Sequence, residues 1–209
     1  MKIAVFGDSI TYGVSDEKGG WATRLRLEVE KEDIKASRRV ANCVYNCGVR
    51  GDTTEDLLMR FDVECSSRVE RQDDPIIIFA IGTNDSSTKA DGTNAVPLMQ
   101  YQENLGKLLD KAKTVSDKIL FVGLFPVDDT KTLNWKPDRT YNNKSVQEYN
   151  VILSNFCKEN KLAFVDIFKP FYGKSHEVLL NDGLHPNSKG HQKIYKLVSK
   201  ALRKNNLLT

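Results

Sequence analysis

Six consecutive apolar residues, Ile76-Ile77-Ile78-Phe79-Ala80-Ile81, place the strongest limit on the folds open to this chain. A half-exposed strand alternates apolar and polar positions, whereas a strand that is buried on both faces is apolar throughout. The run therefore predicts a strand inside a sheet that helices cover on both sides.

Strand-like and helix-like segments alternate along the rest of the chain. The strand-like runs are Lys2–Phe6, Val40–Asn46, Pro75–Ile81, Lys118–Leu124 and Leu162–Ile167. The helical segments are Trp21–Glu32, Thr54–Val69, Leu98–Val115, Ser145–Asn160 and Ser188–Lys204. This succession is typical of β-α-β units with right-handed crossovers, and it predicts an α/β fold: a doubly wound, three-layer α/β/α sandwich around a five-stranded parallel sheet.

Length and composition exclude several classes of protein. The 209 residues show no internal repeat and no linker, so we expect one domain that spans residues 1–209. The net charge of +3 is spread along the chain, which gives no reason to expect a nucleic-acid partner. No apolar run approaches the ~20 residues of a membrane span, and no signal peptide precedes the first strand. We therefore expect a cytoplasmic protein without a membrane span.

Two further features have ordinary structural interpretations. The basic residues of the last helix recur at three- and four-residue spacing, which is compatible with a solvated face or with contact to an acidic partner. The four cysteines, Cys43, Cys47, Cys65 and Cys157, lack the CxxC pairs of a zinc or redox site. We expect reduced, half-buried thiols.

A serine follows directly on the first strand-like run. Gly7-Asp8-Ser9 comes after Ile3-Ala4-Val5-Phe6, which places a hydroxyl at the carboxyl edge of the sheet, where open α/β sheets bind ligands. Far downstream, Asp182 and His185 lie three residues apart, close enough to meet in one turn. Serine, imidazole and carboxylate are the parts of a nucleophile relay, and they indicate a serine hydrolase.

Three short polar segments end a strand or follow one, and a fourth immediately precedes the last helix. They are Gly7–Thr11, Asn46–Thr54, Gly82–Asp85 and Asp182–His185. Because the carboxyl ends of parallel strands lie at one edge of a sheet, we expect these segments to converge. Taken singly, each is equally compatible with helix caps and turns, which favour the same residue types.

These four segments resemble the four signature blocks of the SGNH hydrolases, also called the GDSL esterase/lipase family, and they occur in that family's order. Ile10 replaces the leucine of the Gly-Asp-Ser-Leu motif and keeps an apolar side chain beside the serine. The resemblance implies a flavodoxin-like fold that needs no cofactor. It also implies that Ser9 is the nucleophile, that Gly48 and Asn84 help to form the oxyanion hole, and that Asp182 and His185 complete the triad.

The chemistry requires residues of these types. A serine hydroxyl needs a base within hydrogen-bond reach, and His185 can supply it while Asp182 fixes the imidazole tautomer. The oxyanion needs donors that are already in place, and the candidates are the backbone N–H groups of Ser9 and Gly48 and the side-chain amide of Asn84. We expect His176 and His191 to be structural. Asp182 and His185 gather too few ligands for a catalytic zinc, so no metal site is expected.

The polar segment Pro126–Asn143 is the candidate for substrate selection, because long loops inside compact domains often cover binding sites. Trp135 and Tyr141 are expected either to line the substrate pocket or to pin a surface loop with one buried aromatic. Tyr12 and Trp21 are further candidate pocket walls, although core packing is the better interpretation of Trp21.

The leading hypothesis is hydrolysis of a small carboxylic ester or thioester through an acyl-enzyme at Ser9. The alternative is a non-catalytic small-ligand binding domain that retains the hydrolase pocket. A nucleotide- or phosphate-binding protein is a third hypothesis, but the chain has neither GxGxxG after the first strand nor a P-loop.

Overall fold

The computed structural model describes residues 1–35, 42–133 and 135–208. At its centre is a five-stranded sheet in the order β2-β1-β3-β5-β7, and every pair of neighbours in it is parallel. The five strands are β1 (Lys2–Gly7), β2 (Cys43–Gly48), β3 (Ile76–Ala80), β5 (Lys118–Val122) and β7 (Ala163–Val165). The predicted parallel sheet is confirmed; Val40 and Ala41, which were assigned to the second strand, lie outside the described residues.

Helices cover both faces of the sheet. They are α1 (Ser9–Tyr12), α2 (Gly20–Val29), α3 (Lys31–Lys35), α4 (Thr54–Ser66), α5 (Leu98–Lys113), α6 (Asp129–Thr132), α7 (Asn143–Glu159) and α8 (Ser188–Lys204). Helices α4, α5 and α7 pack on one face, and α2 and α8 pack on the other. The three-layer sandwich predicted from the sequence is therefore present.

The strand β3 shows why its sequence is apolar throughout. Ile77 and Phe79 belong to the core beneath α4, α5 and α7, whereas Ile76 and Ile78 belong to the core beneath α2 and α8. Successive side chains of a strand point to opposite faces, so a strand between two helical layers has no solvent-facing position.

Helix ends follow local capping. The Thr53 hydroxyl accepts from the backbone N–H of Asp56, and the Asp56 carboxylate accepts from the Thr53 N–H, which forms a capping box at the start of α4. At the start of α8 the Asn187 side chain accepts the Lys189 and Gly190 N–H groups, and α8 has the predicted bounds. The segment predicted as one helix from Trp21 to Glu32 is instead divided at Glu30 into α2 and α3.

The predicted loop 126–143 contains two short elements that sequence periodicity did not indicate. The helix α6 forms one turn that the Asp128 carboxylate caps. After it, β6 (Arg139–Thr140) pairs with β4 (Thr88–Lys89) in a small antiparallel ladder. Both elements are too short to produce a periodic pattern; Asn134 lies outside the described residues.

The basic stripe of α8 lies on the solvent side, since Lys189, Lys193 and Lys196 are exposed while Ile194 and Val198 are buried. All four cysteines are free, and three of them are buried. Among the described residues, no helix is both long enough and apolar enough to span a bilayer.

Candidate active site

The carboxyl edge of the sheet gathers the polar segments. Gly7 of β1 lies opposite Gly48 of β2 and Ala80 of β3, so these three strands end at the same level. The segments that continue from them therefore leave the sheet side by side. Asp182–His185 reaches the same place from the other end of the chain, immediately before α8.

A continuous chain of hydrogen bonds joins Asp182, His185 and Ser9. His185 Nε2 lies 3.0 Å from Ser9 Oγ, and His185 Nδ1 lies 2.7 Å from Asp182 Oδ2. Because a carboxylate only accepts, Nδ1 carries the proton that is donated to it, which leaves Nε2 as the acceptor for the serine hydroxyl. The sequence predicted that these three side chains meet, and the structure brings them together.

The local backbone holds Asp182 in place. Its second oxygen, Oδ1, accepts the backbone N–H groups of Leu184 at 3.0 Å and His185 at 2.8 Å. Burial opposes the charged carboxylate, but the bonds from the backbone and the ring of His185 and from the Leu184 N–H outweigh it, so the pKa of Asp182 is below its usual value. The carboxylate is therefore ionised at neutral pH and can orient the imidazole.

Ser9 lies at the first position of the one-turn helix α1. The Asp8 side chain caps this turn by accepting the Ile10 N–H at 2.9 Å, and the Asn46 amide donates to the Thr11 carbonyl at 3.0 Å. The turn is thus bonded both to itself and to β2. Ser9 is only 7% exposed, so its hydroxyl is held in a largely enclosed position.

The structure does not support Gly48 as an oxyanion donor. Its N–H donates to Asn46 Oδ1 at 3.0 Å, and its α-carbon packs so tightly on α1 that a Cβ would lie 2.3 Å from the Tyr12 nitrogen. Gly48 is the last residue of β2 and serves as a packing position, because only a residue without a Cβ allows this approach.

Gly51, three residues beyond the strand, lines the cavity instead. It has a φ of +88°, which is typical of glycine, and a Cβ there would meet no atom within 4 Å. Gly48 and Gly51 lie in the same predicted segment. The two glycines differ in their position relative to the end of β2. Gly48 is the last residue of the strand and packs on α1, whereas Gly51 lies beyond the strand and lines the cavity.

Asn84 follows β3 and is oriented by two hydrogen bonds. Its Nδ2 donates to the Asp52 carbonyl at 2.9 Å, and its Oδ1 accepts from the Tyr141 hydroxyl at 2.9 Å. An amide nitrogen carries two hydrogens, so one N–H remains for a ligand in the cavity. The structure places Asn84 in the cavity wall beside Ser9, as predicted.

A cavity of about 200 Å³ opens over these groups, and its wall includes Ser9, Asn84, Leu184 and His185. Trp135 and Tyr141, the two aromatic residues predicted to line a pocket, belong to the same wall. The Trp135 ring centroid lies 5.9 Å from that of His185 and 6.3 Å from that of Tyr141. Segment 126–143 therefore contributes directly to the cavity.

The remaining candidates lie elsewhere. Tyr12 is 55% exposed and outside the cavity wall, and Trp21 is buried in the core beneath α2 and α8. His176 Nε2 donates to the Val127 carbonyl at 2.8 Å. His191 lies inside the fold with its Nε2 3.4 Å from the Val14 carbonyl. Within residues 1–35, 42–133 and 135–208, no group of three or more His, Cys, Asp or Glu side chains is arranged to hold a metal ion.

Sequence reasoning missed the buried polar residues beneath the site. Burial raises the pKa of Asp8 to about 7 and that of Asp85 to about 6. Asp85 accepts the Thr54 N–H at 3.0 Å and so connects the end of β3 to the start of α4. Arg60 of α4 bonds both Asp52, at 2.6 Å, and the Gly7 carbonyl, at 3.1 Å. Nothing in the sequence around Arg60 marks it, because its partners are distant along the chain.

A known protein family matches this sequence over most of its length. The sequence model of the GDSL-like Lipase/Acylhydrolase family matches residues 5–193. The chain belongs to this family. The resemblance noted from the four motifs is thereby confirmed, and GDSL-like family membership supports ester hydrolysis as the class of reaction.

Individual relatives are distant but align over most of the chain. The chain is 23% identical to esterase TesA of Pseudomonas aeruginosa over 187 residues, covering 88% of this chain and 79% of that protein. It is 25% identical to the isoamyl acetate-hydrolyzing esterase of Saccharomyces cerevisiae over 213 residues, covering 91% and 81%. The crystal structure of a lipase/acylhydrolase from Enterococcus faecalis superposes with a TM-score of 0.72 at 24% identity, covering 98% of this chain and 96% of that one. This GDSL-like chain therefore has the fold of those structures.

Proposed function

We propose that this protein hydrolyses a carboxylic ester or thioester of a small molecule through an acyl-enzyme formed on Ser9. The observation that carries the proposal is the unbroken Asp182–His185–Ser9 hydrogen-bond chain in the wall of a cavity. A neutral imidazole whose Nδ1 donates to Asp182 presents Nε2 to the hydroxyl as an acceptor, which is the arrangement that nucleophilic catalysis requires.

In the first half-reaction, His185 Nε2 takes the proton of Ser9 as Oγ attacks the carbonyl carbon. Asp182 stabilises the imidazolium that forms, without itself becoming protonated. His185 then donates the proton to the leaving oxygen or sulfur, and the alcohol or thiol departs. Water repeats the sequence on the acyl-enzyme, with His185 again acting first as base and then as acid.

The developing oxyanion would be bound by three donors: the N–H groups of Ser9 and Gly51 and the free N–H of the Asn84 amide. Gly51 takes the place that the sequence analysis gave to Gly48. Donors that are in place before the reaction are effective because they need no reorganisation when charge develops. The bonds from Asn84 to Asp52 and Tyr141 provide this fixed orientation.

Replacement of the proposed nucleophile tests this function. Ser9→Ala should abolish turnover of p-nitrophenyl acetate while leaving the melting temperature within a few degrees of wild type. A fluorophosphonate probe should add to a peptide that contains Ser9, detected by mass spectrometry, and should not label the variant. Ser66→Ala, an exposed serine of α4, is the matched control and should retain full activity. Retained turnover in Ser9→Ala, or labelling at another serine, would contradict the proposal.

A further inference from the structure

The cavity that contains Ser9 has a cationic wall. Besides the residues described above, its lining includes Arg50, Lys136 and Arg139. No Asp or Glu side chain is among the lining residues that the structure describes. The chain as a whole is close to neutral, with 31 basic and 28 acidic residues, so this local excess of positive charge does not follow from composition.

Among the described residues, these three cations form no ion pair with an acidic side chain. By contrast, Arg60, which bonds the Gly7 carbonyl at the end of β1, is paired with Asp52. Across residues 1–35, 42–133 and 135–208, none of the three cavity cations lies within 4.0 Å of a carboxylate. The cavity therefore presents three positive charges, none of which forms an ion pair with an acidic side chain of the described fold.

Backbone hydrogen bonds hold the turn that carries two of the cations. The N–H of Lys136 donates to the Arg139 carbonyl at 3.0 Å, and the N–H of Arg139 donates to the Lys136 carbonyl at 3.1 Å. The tight turn between them continues into β6, where Arg139 lies directly opposite Lys89 of β4. Like charges at facing positions of an antiparallel pair cost stability, so a bound anion would relieve an existing repulsion.

The position of Trp135 shows which part of a substrate these cations would contact. Its ring lies beside His185, and Lys136 is the next residue along the chain. In the proposed reaction, His185 Nε2 protonates the leaving oxygen or sulfur, so the leaving group lies on the His185 side of the scissile bond. The segment that borders His185 therefore carries Lys136 and Arg139 towards the leaving group.

We propose that the preferred substrate is an ester or thioester whose alcohol or thiol portion carries an anionic group, a phosphate or a carboxylate. This inference rests on the proposed function, because it uses the same nucleophile and the same leaving-group direction. Lysine and arginine bind both anions by charge-assisted hydrogen bonds. The residues therefore predict that the ligand is anionic, and the assay distinguishes a phosphate from a carboxylate.

The test compares acetate esters that differ in the charge of the leaving group. The anionic esters are 4-acetoxybenzoate and 4-acetoxyphenyl phosphate, and 4-acetoxybenzamide is the neutral one. For each ester the ratio of kcat/KM in the variant to that in wild type is measured, which removes intrinsic differences in leaving-group reactivity. A second pair, p-nitrophenyl hemisuccinate and p-nitrophenyl butyrate, places the charge on the acyl side instead.

The variant is Lys136→Gln, and the matched control is Lys200→Gln on α8, outside the cavity. Lys136→Gln should lower kcat/KM for at least one anionic acetate by about fivefold or more, since hydrogen bonds to charged groups contribute substantially even after solvent screening. The neutral benzamide should change by less than about twofold, and higher ionic strength should weaken only the anionic preference. The phosphate and carboxylate esters rank the two anions by the size of the loss.

Three results would overturn the inference. Equal losses for neutral and anionic acetates would mean that the cations do not select charge. A loss confined to the hemisuccinate would place the anion on the acyl side and refute the assignment to the leaving group. Unchanged kinetics for every ester would remove the cations from binding, although the Ser9-dependent turnover would still uphold the proposed function. Failure of the proposed function itself gives a different pattern: no ester is turned over and Ser9 is not labelled.

Discussion

The hydroxyl of Tyr141 provides a sharp test of how the site is organised, because it donates to Asn84 and can be removed without removing the ring. In Tyr141→Phe the ring remains, and with it the contact to Trp135. What disappears is the donor to Asn84 Oδ1, a bond of 2.9 Å between residues that are 3% and 5% exposed. The Asn84 carbonyl is then buried without that donor.

The size of the effect follows from this burial. A buried acceptor that loses its partner costs about 1–3 kcal/mol, and each 1.4 kcal/mol corresponds to about a factor of ten in rate. If the lost bond leaves the Asn84 amide less well oriented for the reaction, kcat should fall by about tenfold and by no more than about a hundredfold. KM for a small neutral ester should change little, because the wall of the cavity keeps its shape.

The assay is steady-state hydrolysis of p-nitrophenyl acetate by wild type, Tyr141→Phe, Asn84→Ala and the double variant. Since Tyr141 acts through Asn84, the double variant should be no slower than Asn84→Ala alone, which is the non-additivity expected of coupled residues. Tyr172→Phe, at an exposed tyrosine outside the cavity, is the matched control. Additive losses, or an effect confined to KM, would refute the positioning role and leave Tyr141 as a wall of the cavity only.

Four variants test separate parts of the structure. Asn84→Ala should lower kcat by about 10²–10³ if its amide binds the oxyanion, and a loss under about threefold would exclude that role. Gly48→Ala should lower the melting temperature, because the new Cβ would lie 2.3 Å from the Tyr12 nitrogen. Gly51→Ala should still fold, with a loss of about 1–2 kcal/mol in the free energy of unfolding because of its positive φ, and it should lose activity. Burial lowers the pKa of His191 from 6.5 to about 4, against the attraction of Asp16. Because the His191 ring then binds a proton more readily in the unfolded chain than in the folded one, the free energy of unfolding falls as the pH drops from 6.5 towards 4. Chemical denaturation across this range should show wild type losing up to about 3 kcal/mol relative to His191→Gln, and a constant difference would refute the assignment.

The sequence was sufficient to predict the convergence of the site. Four short segments far apart along the chain each adjoin an element whose type could be recognised, and parallel topology brings the ends of β1, β2 and β3 to one edge. Local chemistry then fixed the meeting of Asp182 and His185, because three residues suffice for a carboxylate to bond both the backbone and the ring.

Finer placement depended on contacts that no local pattern records. Choosing between Gly48 and Gly51 required knowledge of where β2 ends and of what lies against it, namely the backbone of α1. The bond from Tyr141 to Asn84 joins positions 57 residues apart, and it depends on the ladder of β6 with β4, which pairs only two residues on each strand. Elements this short are formed by the surrounding fold rather than by their own propensity.

The bond between Ser9 and His185 spans 176 positions. The nucleophile is synthesised 176 residues before its base, so a growing polypeptide carries the serine over that stretch without the group that would activate it. Such long-range closure is also slow to form, because distant segments must meet before either gains from the contact. Recovery of turnover after dilution from denaturant would therefore report the docking of the segments that carry Ser9 and His185, and it should lag behind the return of helical circular dichroism.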